Sequence, residues 1–128
     1  CLAPQGRLTT YCSAAAVRHS LQECGLHLAG LRPPAGSASH QWSGGTVASP
    51  TVLPPGEPLV AFSQMEQEHL QTQAALPYLD PSGQGTAAEI QEQRRQQQQC
   101  SGRLSTSAWR RRWQQGEGLR NAGRFPPS

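Results

Sequence analysis

Gly6-Arg7-Leu8-Thr9-Thr10-Tyr11-Cys12-Ser13-Ala14-Ala15-Ala16-Val17-Arg18-His19-Ser20-Leu21-Gln22-Glu23-Cys24-Gly25-Leu26-His27-Leu28-Ala29-Gly30-Leu31 is the stretch that decides the fold class. Residues 6–12 gather β-branched and aromatic side chains behind a Pro/Gly break, which reads as a strand. Ser13 stands where a helix N-cap would, its hydroxyl able to accept from an otherwise unpaired amide of the first turn. Ala14, Val17, Leu21 and Cys24 recur at helical spacing, so a helix over 14–24 with that face inward is expected. Gly25 ends it, because a helix C-terminus often needs one residue at positive φ. Leu26–Leu31 alternates as a second strand until Pro33-Pro34. Residues 35–43 read as a loop, and Thr46–Ser49, after Gly44-Gly45, as a third short strand. Strand, helix, strand, loop, strand is an α/β pattern. One helix and three short strands bury too little to stand alone. The expectation is the end of an α/β domain whose beginning lies before Cys1, a truncated or partial gene product.

Outward from this unit the chain changes character. Leu, Ile, Val and Phe together make 20 of 128 residues, while Gly and Pro make 24. That aliphatic share is below the globular norm and argues against one large core over the whole chain. The net charge is only +3, so the combination of high charge and low hydrophobicity that marks full disorder is absent. No stretch approaches 18 consecutive apolar residues, and the first 30 residues lack a basic segment followed by an apolar one. No membrane partner is expected. Residues 50–62, with Pro50, Pro54, Pro55, Gly56 and Pro58, read as a linker or extended arm. Ser63-Gln64-Met65-Glu66 and Thr86-Ala87-Ala88-Glu89 both match the capping box, in which hydroxyl and carboxylate each satisfy a free amide at a helix start. The first of these helices is expected to reach about Ala75, before Pro77, and the second about Gln99. The second has a thin apolar face and a Gln96–Gln99 run, which describes a solvent-bridging or marginal helix. The organisation expected is residues 1–49 as the C-terminal part of a domain, 50–62 as linker, 63–113 as a helical tail extension and 114–128 as disordered.

Charge and chemistry narrow the functional classes. Every basic residue other than histidine is Arg. Residues 1–89 carry Arg7, Arg18 and Arg32 against six acids; residues 90–128 carry eight Arg against Glu92 and Glu117. A basic tail on an acidic body fits an anionic partner, RNA first, or a solvated tail. Trp109-Arg110-Arg111-Arg112-Trp113 is the dense basic and aromatic cluster, preceded by Arg94-Arg95. Arg can pair with phosphate bidentately and indole can stack on an unpaired base; the other reading packs both Trp onto the α/β body. Cys1, Cys12, Cys24 and Cys100 contain no CxxC and support neither a redox motif nor a disulfide framework. Only Cys24-x-x-His27 has metal-like spacing, and Cys24 belongs to the expected apolar face, so no metal site is assigned. The sole Asp, Asp80, has no carboxylate partner for acid–base work. His69 reads as a packing or surface residue. No Gly-rich phosphate loop is present.

Gly6-x-Leu8-x-Thr10-Tyr11-Cys12, followed by Val17-Arg18, Leu21 and Gly25-Leu26, resembles the end of the MnmC-like methyltransferase domain. Gly45-Thr46-Val47-Ala48-Ser49, Glu66-Gln67-Glu68-His69-Leu70-Gln71-Thr72, Leu76-Pro77-Tyr78-Leu79-Asp80-Pro81, Arg94-Arg95 and the pair Trp109 and Trp113 are similar, in order, to a bacterial branch with an added C-terminal tail. The resemblance spans roughly residues 6–113. It implies a Rossmann-like fold using S-adenosyl-L-methionine, with methyl transfer to the aminomethyl nitrogen of a modified wobble uridine in tRNA. The strands read above would be its last three and 14–24 its crossover helix. The cofactor-binding turn and the catalytic strand end would lie upstream, so no catalytic or cofactor-binding residue is assigned and the isolated chain is not expected to bind the cofactor. The branch carries a basic pair in the loop before the Gly-Thr-Val strand; residues 36–43 here contain no Arg.

The resemblance thus implies the C-terminal portion of a cytoplasmic tRNA methyltransferase, not catalytic alone, with tRNA and not DNA as partner. Tyr11, Cys12 and Ser13, at the carboxyl end of the first strand, are the candidate substrate-bordering residues, since ligands of open α/β sheets bind beyond those ends. Arg18 either assists them or simply pairs with a surface acid. Arg94, Arg95, Trp109, Arg110, Arg111, Arg112 and Trp113 are the candidate RNA contacts. The alternative from another class is a non-catalytic RNA-binding or scaffold module acting through Arg94 to Trp113.

Overall fold

The computed structural model describes residues 2–34, 42–54 and 56–115. Four strands form one sheet in the order β1-β3-β2-β4: β1 (Leu8–Thr10), β2 (His27–Leu31), β3 (Thr46–Ser49) and β4 (Leu59–Val60). β3 pairs antiparallel with both β1 and β2, so those two run parallel to each other, joined by α1 (Ala15–Glu23). β4 adds antiparallel to the far side of β2, with Leu31 opposite Leu59. The strand, helix and strand read from the sequence are present, as is the third strand. Leu59–Val60, within the expected linker, supplies an additional strand.

β3 is buried at all four positions because it has strands on both sides. On one face Val47 packs with Ala29 and Leu59, and Leu31 and Leu53 lie against them. On the other, Thr46 and Ala48 meet the helix side, where Ala15 and Arg18 are buried. The inward stripe of α1 is therefore rotated by about one residue from the expected Ala14–Val17–Cys24 line. Val17 and Cys24 are exposed, and the place of the apolar residue goes to a guanidinium with buried partners. Ser13 does not cap α1. Ala14 occupies the N-cap without a side-chain bond. The other end is as the sequence indicates. Gly25 has φ +79, its N–H donates to the Gln22 carbonyl at 2.9 Å, and Leu26 N–H reaches back to the Leu21 carbonyl at 3.2 Å. This paired closure needs a left-handed residue at that point.

Both capping boxes form. Ser63 and Glu66 start α2 (Gln64–His69), and Thr86 and Glu89 start α3 (Ala87–Cys100). α2 is shorter than its pattern indicated. It stops at His69, and a short 3-10 turn over Gln73–Ala75, capped by Thr72, follows. α3 buries no residue. Its attachment is polar: Gln73 Nε2 donates to the Gln98 carbonyl and Gln98 Nε2 to the Gln73 carbonyl, both at 3.2 Å. Arg94 donates from Nε to the Leu76 carbonyl at 2.8 Å and from Nη2 to the Ala74 carbonyl at 3.0 Å. Carbonyls of the 3-10 turn and its exit that lack helical partners are thereby satisfied, and a helix without an apolar stripe acquires a fixed seat.

A final helix, α4 (Thr106–Gln114), was not legible as an element. Ser105 caps it, its hydroxyl accepting from Ala108 N–H at 3.2 Å. Trp109 and Trp113, one turn apart, point inward at 0% and 9% exposure and pack with Trp42, Met65 and Leu104. Both indole N–H groups donate to Oε2 of the buried Glu68, that of Trp109 at 3.2 Å. Gln114 and Gln115 belong to the end of this helix and its cap, while the remainder of the segment expected to be disordered, 116–128, lies outside the described residues.

Truncating Trp109 removes a full indole from the second core and one of the donors to Glu68. Trp109→Ala is expected to lower unfolding free energy by about 3–5 kcal/mol. The exposed neighbour Arg110→Ala should stay within about 0.5 kcal/mol. Urea denaturation followed by tryptophan fluorescence separates the two; equal small effects would contradict the burial of Trp109.

Candidate functional site

The turn leaving β1 is held through the two peptides that flank one residue, Cys12. Cys12 N–H donates to the Thr10 hydroxyl at 3.1 Å, and the Cys12 carbonyl accepts from the Thr46 hydroxyl at 2.8 Å. Thr46 in turn accepts from Nε of Arg18 at 2.8 Å. Gly45 lies against the same turn. A Cβ there would sit 2.6 Å from the Thr10 carbonyl oxygen and 3.3 Å from Tyr11 Cα, so no larger residue fits. The result is a fixed loop in which Cys12 and Ser13 are half-buried and the Tyr11 ring stands 92% exposed. An aromatic ring held out on a braced backbone is a surface on which a planar group can stack.

Arg18 does not reach solvent. It is 1% exposed and is not part of any outward-facing contact surface; it is the interior brace of the loop. Its Nη1 meets Glu66 Oε2 at 2.6 Å, and its Nη2 donates to the Ser43 hydroxyl at 2.9 Å and the Gly45 carbonyl at 3.3 Å. Its guanidinium carbon lies 4.3 Å from the centroid of the Phe62 ring. Of the two readings of this residue, pairing with an acid is the one realised, but the acid is buried. Glu66 is 2% exposed and also accepts from the Ser43 hydroxyl at 2.6 Å and from Ser63 N–H at 3.3 Å.

The basic cluster of the tail splits into different roles. Trp109 and Trp113 are core residues, so their indole faces are not available to stack on a base; they pack, but against Trp42, Met65 and Leu104 in a cluster separate from that of the sheet, not onto the α/β body as the other reading had it. Arg94 is engaged with the Leu76 and Ala74 carbonyls and lies 4.1 Å from the Tyr78 ring centroid. Arg95 pairs with Glu92 through two bonds at 2.6 and 2.8 Å, on the surface. Arg110 and Arg111 are exposed on the outer side of α4, and Arg112 is half-buried. The sequence pattern mixed these groups because Arg110, Arg111 and Arg112 stand between the two Trp in chain order, whereas on the helix both Trp turn inward and Arg110 and Arg111 outward.

His69 lies between the two units. Its ring stacks on Trp109 at 5.2 Å and meets Trp42 edge-on, also at 5.2 Å. Burial holds its pKa below the usual histidine value; Arg110 and Arg18 push the same way, and Glu66 opposes them. It is a packing residue, one of the two places the sequence reading allowed it.

Among the described residues no group of three His, Cys, Asp or Glu side chains is arranged to hold a metal ion, and no helix is long and apolar enough to cross a membrane. The carboxylate linked to the β1 loop, Glu66, is buried and already accepts from Arg18, Ser43 and Ser63, so it is not presented to a ribose diol. Residues 36–41, where the absent basic pair was noted, lie outside the described residues.

Residues 1–45 match a family model for S-adenosyl-L-methionine-dependent methyltransferases. That span takes in the β1-α1-β2 unit and ends at Gly45, immediately before β3. The likeness of that span is to a methyltransferase-type α/β unit. The crystal structure of MNMC2 from Aquifex aeolicus is 26% identical, with a TM-score of 0.52, over 72% of this chain and 27% of that one. The family match over residues 1–45 and the structural likeness point the same way: what the chain is similar to is an MnmC-like methyltransferase domain. The chain spans little more than a quarter of the length of that solved protein, at 27%. The structural likeness covers a larger share of the chain, 72%, than the family model's residues 1–45, so it takes in residues beyond the β1-α1-β2 unit. No curated protein matches.

A depressed His69 pKa fixes the sign of one pH effect. The unfolded chain takes up a proton near the ordinary histidine value while the folded chain resists it, so this contribution to stability is full above that value. It is lost as pH falls through it towards the lower folded pKa. Because Arg110 contributes to the depression, Arg110→Ala should move the His69 midpoint upward in an NMR titration of the imidazole Cε1 proton; a midpoint unmoved or lowered would show that Arg110 does not act on the ring.

Proposed function

We propose that the chain is the C-terminal portion of an S-adenosyl-L-methionine-dependent tRNA methyltransferase of the MnmC-like type, acting on the aminomethyl nitrogen of a modified wobble uridine. The observation that carries this is the coincidence of the family match, residues 1–45, with a β1-α1-β2 unit whose two parallel strands are separated by the antiparallel β3. In this reading β1, β2 and β3 are the last three strands of a Rossmann-like sheet and α1 is its crossover helix. The free edge of β1 is where the preceding part of the sheet pairs. β1 is bonded on one side among the described residues, which leaves its other side for that pairing.

The S-adenosyl-L-methionine site belongs to residues outside this chain, and the chain contributes one wall of the tRNA site. Tyr11, Cys12 and Ser13 are that wall, at the carboxyl end of a sheet strand where ligands of open α/β sheets bind. The rigid loop and the exposed ring suit contact with a base turned out of its stack. tRNA phosphates meet the outer side of α4, at Arg110 and Arg111. Methyl transfer of this kind belongs in the cytoplasm. A second reading, a non-catalytic RNA-binding module, is favoured by the same exposed arginines on a helix that has its own anchor.

Two measurements test this. Calorimetric titration of the isolated chain with S-adenosyl-L-methionine is expected to show no binding. One stoichiometric site at micromolar affinity would sink the assignment of the cofactor site to other residues. Filter binding of tRNA over a salt series is expected to show weak, salt-sensitive association. If Arg110 and Arg111 each meet one phosphate, replacing both by Ala should flatten the log K against log salt slope by about 1.4, at roughly 0.7 per single-strand phosphate. An unchanged slope removes α4 from the tRNA contacts.

A further inference from the structure

We propose that Glu66, in the helical extension, is a positioning residue for the Tyr11–Ser13 loop. It acts through a directional relay that runs Glu66, Arg18, Thr46, Cys12. The proposal rests on the reading above only where it calls that loop a tRNA-facing wall.

The relay is defined by donor and acceptor capacity. Glu66 Oε2 accepts from Arg18 Nη1 at 2.6 Å and fixes the guanidinium plane. Arg18 has only donors, so its Nε–H to Thr46 Oγ1 at 2.8 Å can run in one direction alone. Thr46 thereby uses a lone pair as acceptor and has its single proton left for the Cys12 carbonyl, at 2.8 Å. Each step dictates the next, and the last one sets the peptide between Cys12 and Ser13. Ser43 closes a parallel arm. Its hydroxyl accepts from Arg18 Nη2 at 2.9 Å and lies 2.6 Å from Glu66 Oε2 as donor, beside the Gly45 backbone that the β1 turn touches. The same carboxylate takes Ser63 N–H through its other oxygen, at 3.3 Å, which locks its rotamer into the start of α2. The first three members of the relay are at most 2% exposed, Glu66 2%, Arg18 1% and Thr46 0%, and Cys12 at its end is half-buried. Among the first three, water is therefore excluded from substituting for a lost partner. A surface pair would have no such reach; a buried one transmits the position of α2 to a loop that is 54 residues away in sequence, from Cys12 to Glu66.

The inference gives the tail a part in the site that its contacts with the core alone do not require. The extension does not touch the substrate-facing loop directly through this carboxylate, yet the loop peptide inherits its orientation.

The test uses Glu66→Gln, which retains the capping box and removes the charge, with Thr46→Val and Thr46→Ser as a second pair. Amide hydrogen exchange of Cys12 and its neighbours is followed in the chain, with Ala29 and Val47 of the central strands as the folding control. Glu66→Gln and Thr46→Val are expected to raise exchange at Cys12 by at least about tenfold more than any general rise read at Ala29 and Val47, and Thr46→Ser to restore it. A rise at Cys12 no larger than that at Ala29 and Val47 in both Glu66→Gln and Thr46→Val overturns the proposal. In the full-length natural protein the same variants should raise KM for tRNA by roughly tenfold to a hundredfold, with KM for S-adenosyl-L-methionine unmoved. A raised cofactor KM with tRNA KM unmoved also overturns it. Absence of any methyl transfer by the unmodified full-length protein would instead refute the proposed function, and the exchange readout would still decide the relay.

Discussion

The buried ion pair between Arg18 and Glu66 is the contact on which the rest of the structure depends, because it joins the α/β unit to everything after residue 62. Both groups are almost wholly removed from water, at 1% and 2% exposure. Two isolated charges in that position would cost several kcal/mol each in lost hydration. They are tolerable only because almost all hydrogen-bonding capacity is used. Arg18 is met by Glu66, Thr46, Ser43 and the Gly45 carbonyl, and Glu66 by Arg18, Ser43 and Ser63. Such a pair adds little net stability against an apolar equivalent, yet removing one partner strands the other and costs about 3–5 kcal/mol. Its contribution is specificity. Many apolar residues could seat α2 against the sheet in several registers; a guanidinium and a carboxylate with this many partners accept one.

Two residues along the same helix, Glu68 meets the opposite neighbour. Positions two apart on a helix point about 200° away from each other, so the two buried glutamates of α2 face two different bodies. Glu66 holds the sheet and α1; Glu68 holds α4 through the Trp109 and Trp113 indoles. A helix of six residues with no large aliphatic stripe becomes the joint of the molecule for this reason. His69 and Trp42 fill the space beside it, ring against ring. The low aliphatic count that argued against one large core is answered by two small apolar clusters, with a polar network between them.

What the sequence revealed follows the range of the interactions. β1, α1, β2 and β3 were legible because periodicity, Gly25 and the Pro33-Pro34 break act over a few residues. Both capping boxes were legible for the same reason. The inward face of α1 was misread by one position: Arg18 outranks Val17 only once Glu66, 48 residues away, is beside it. α4 was hidden because its stripe is two indoles, whose burial depends on an acceptor at Glu68 more than 40 residues earlier. β4 was hidden because two residues among prolines carry no period of their own. Of the candidate site residues, Tyr11 to Ser13 share one braced loop, whereas the Arg and Trp of the tail do not form one surface. Spacing at i and i+4 for the two Trp was the available signal that they face inward.

The charge of the tail has to be divided in the same way before any partner is inferred from it. Hydrogen bonds to carbonyls leave a guanidinium charged but commit its N–H groups and its position, as at Arg94 and at Arg103, whose Nη1 donates to the Leu70 carbonyl at 3.2 Å. A carboxylate partner removes the field as well, as Glu92 does at Arg95. A phosphate needs both a charge and N–H groups that can turn to it. That requirement separates Arg110 and Arg111, exposed on a helix whose inner face is fixed, from the arginines that build the fold. The same composition thus serves two purposes: arginine in the place of aliphatic residues where carbonyls and carboxylates are buried, and arginine as free charge where the helix turns outward. The net charge of a segment cannot distinguish them; the burial of Trp109 and Trp113 does, since it determines which way α4 faces.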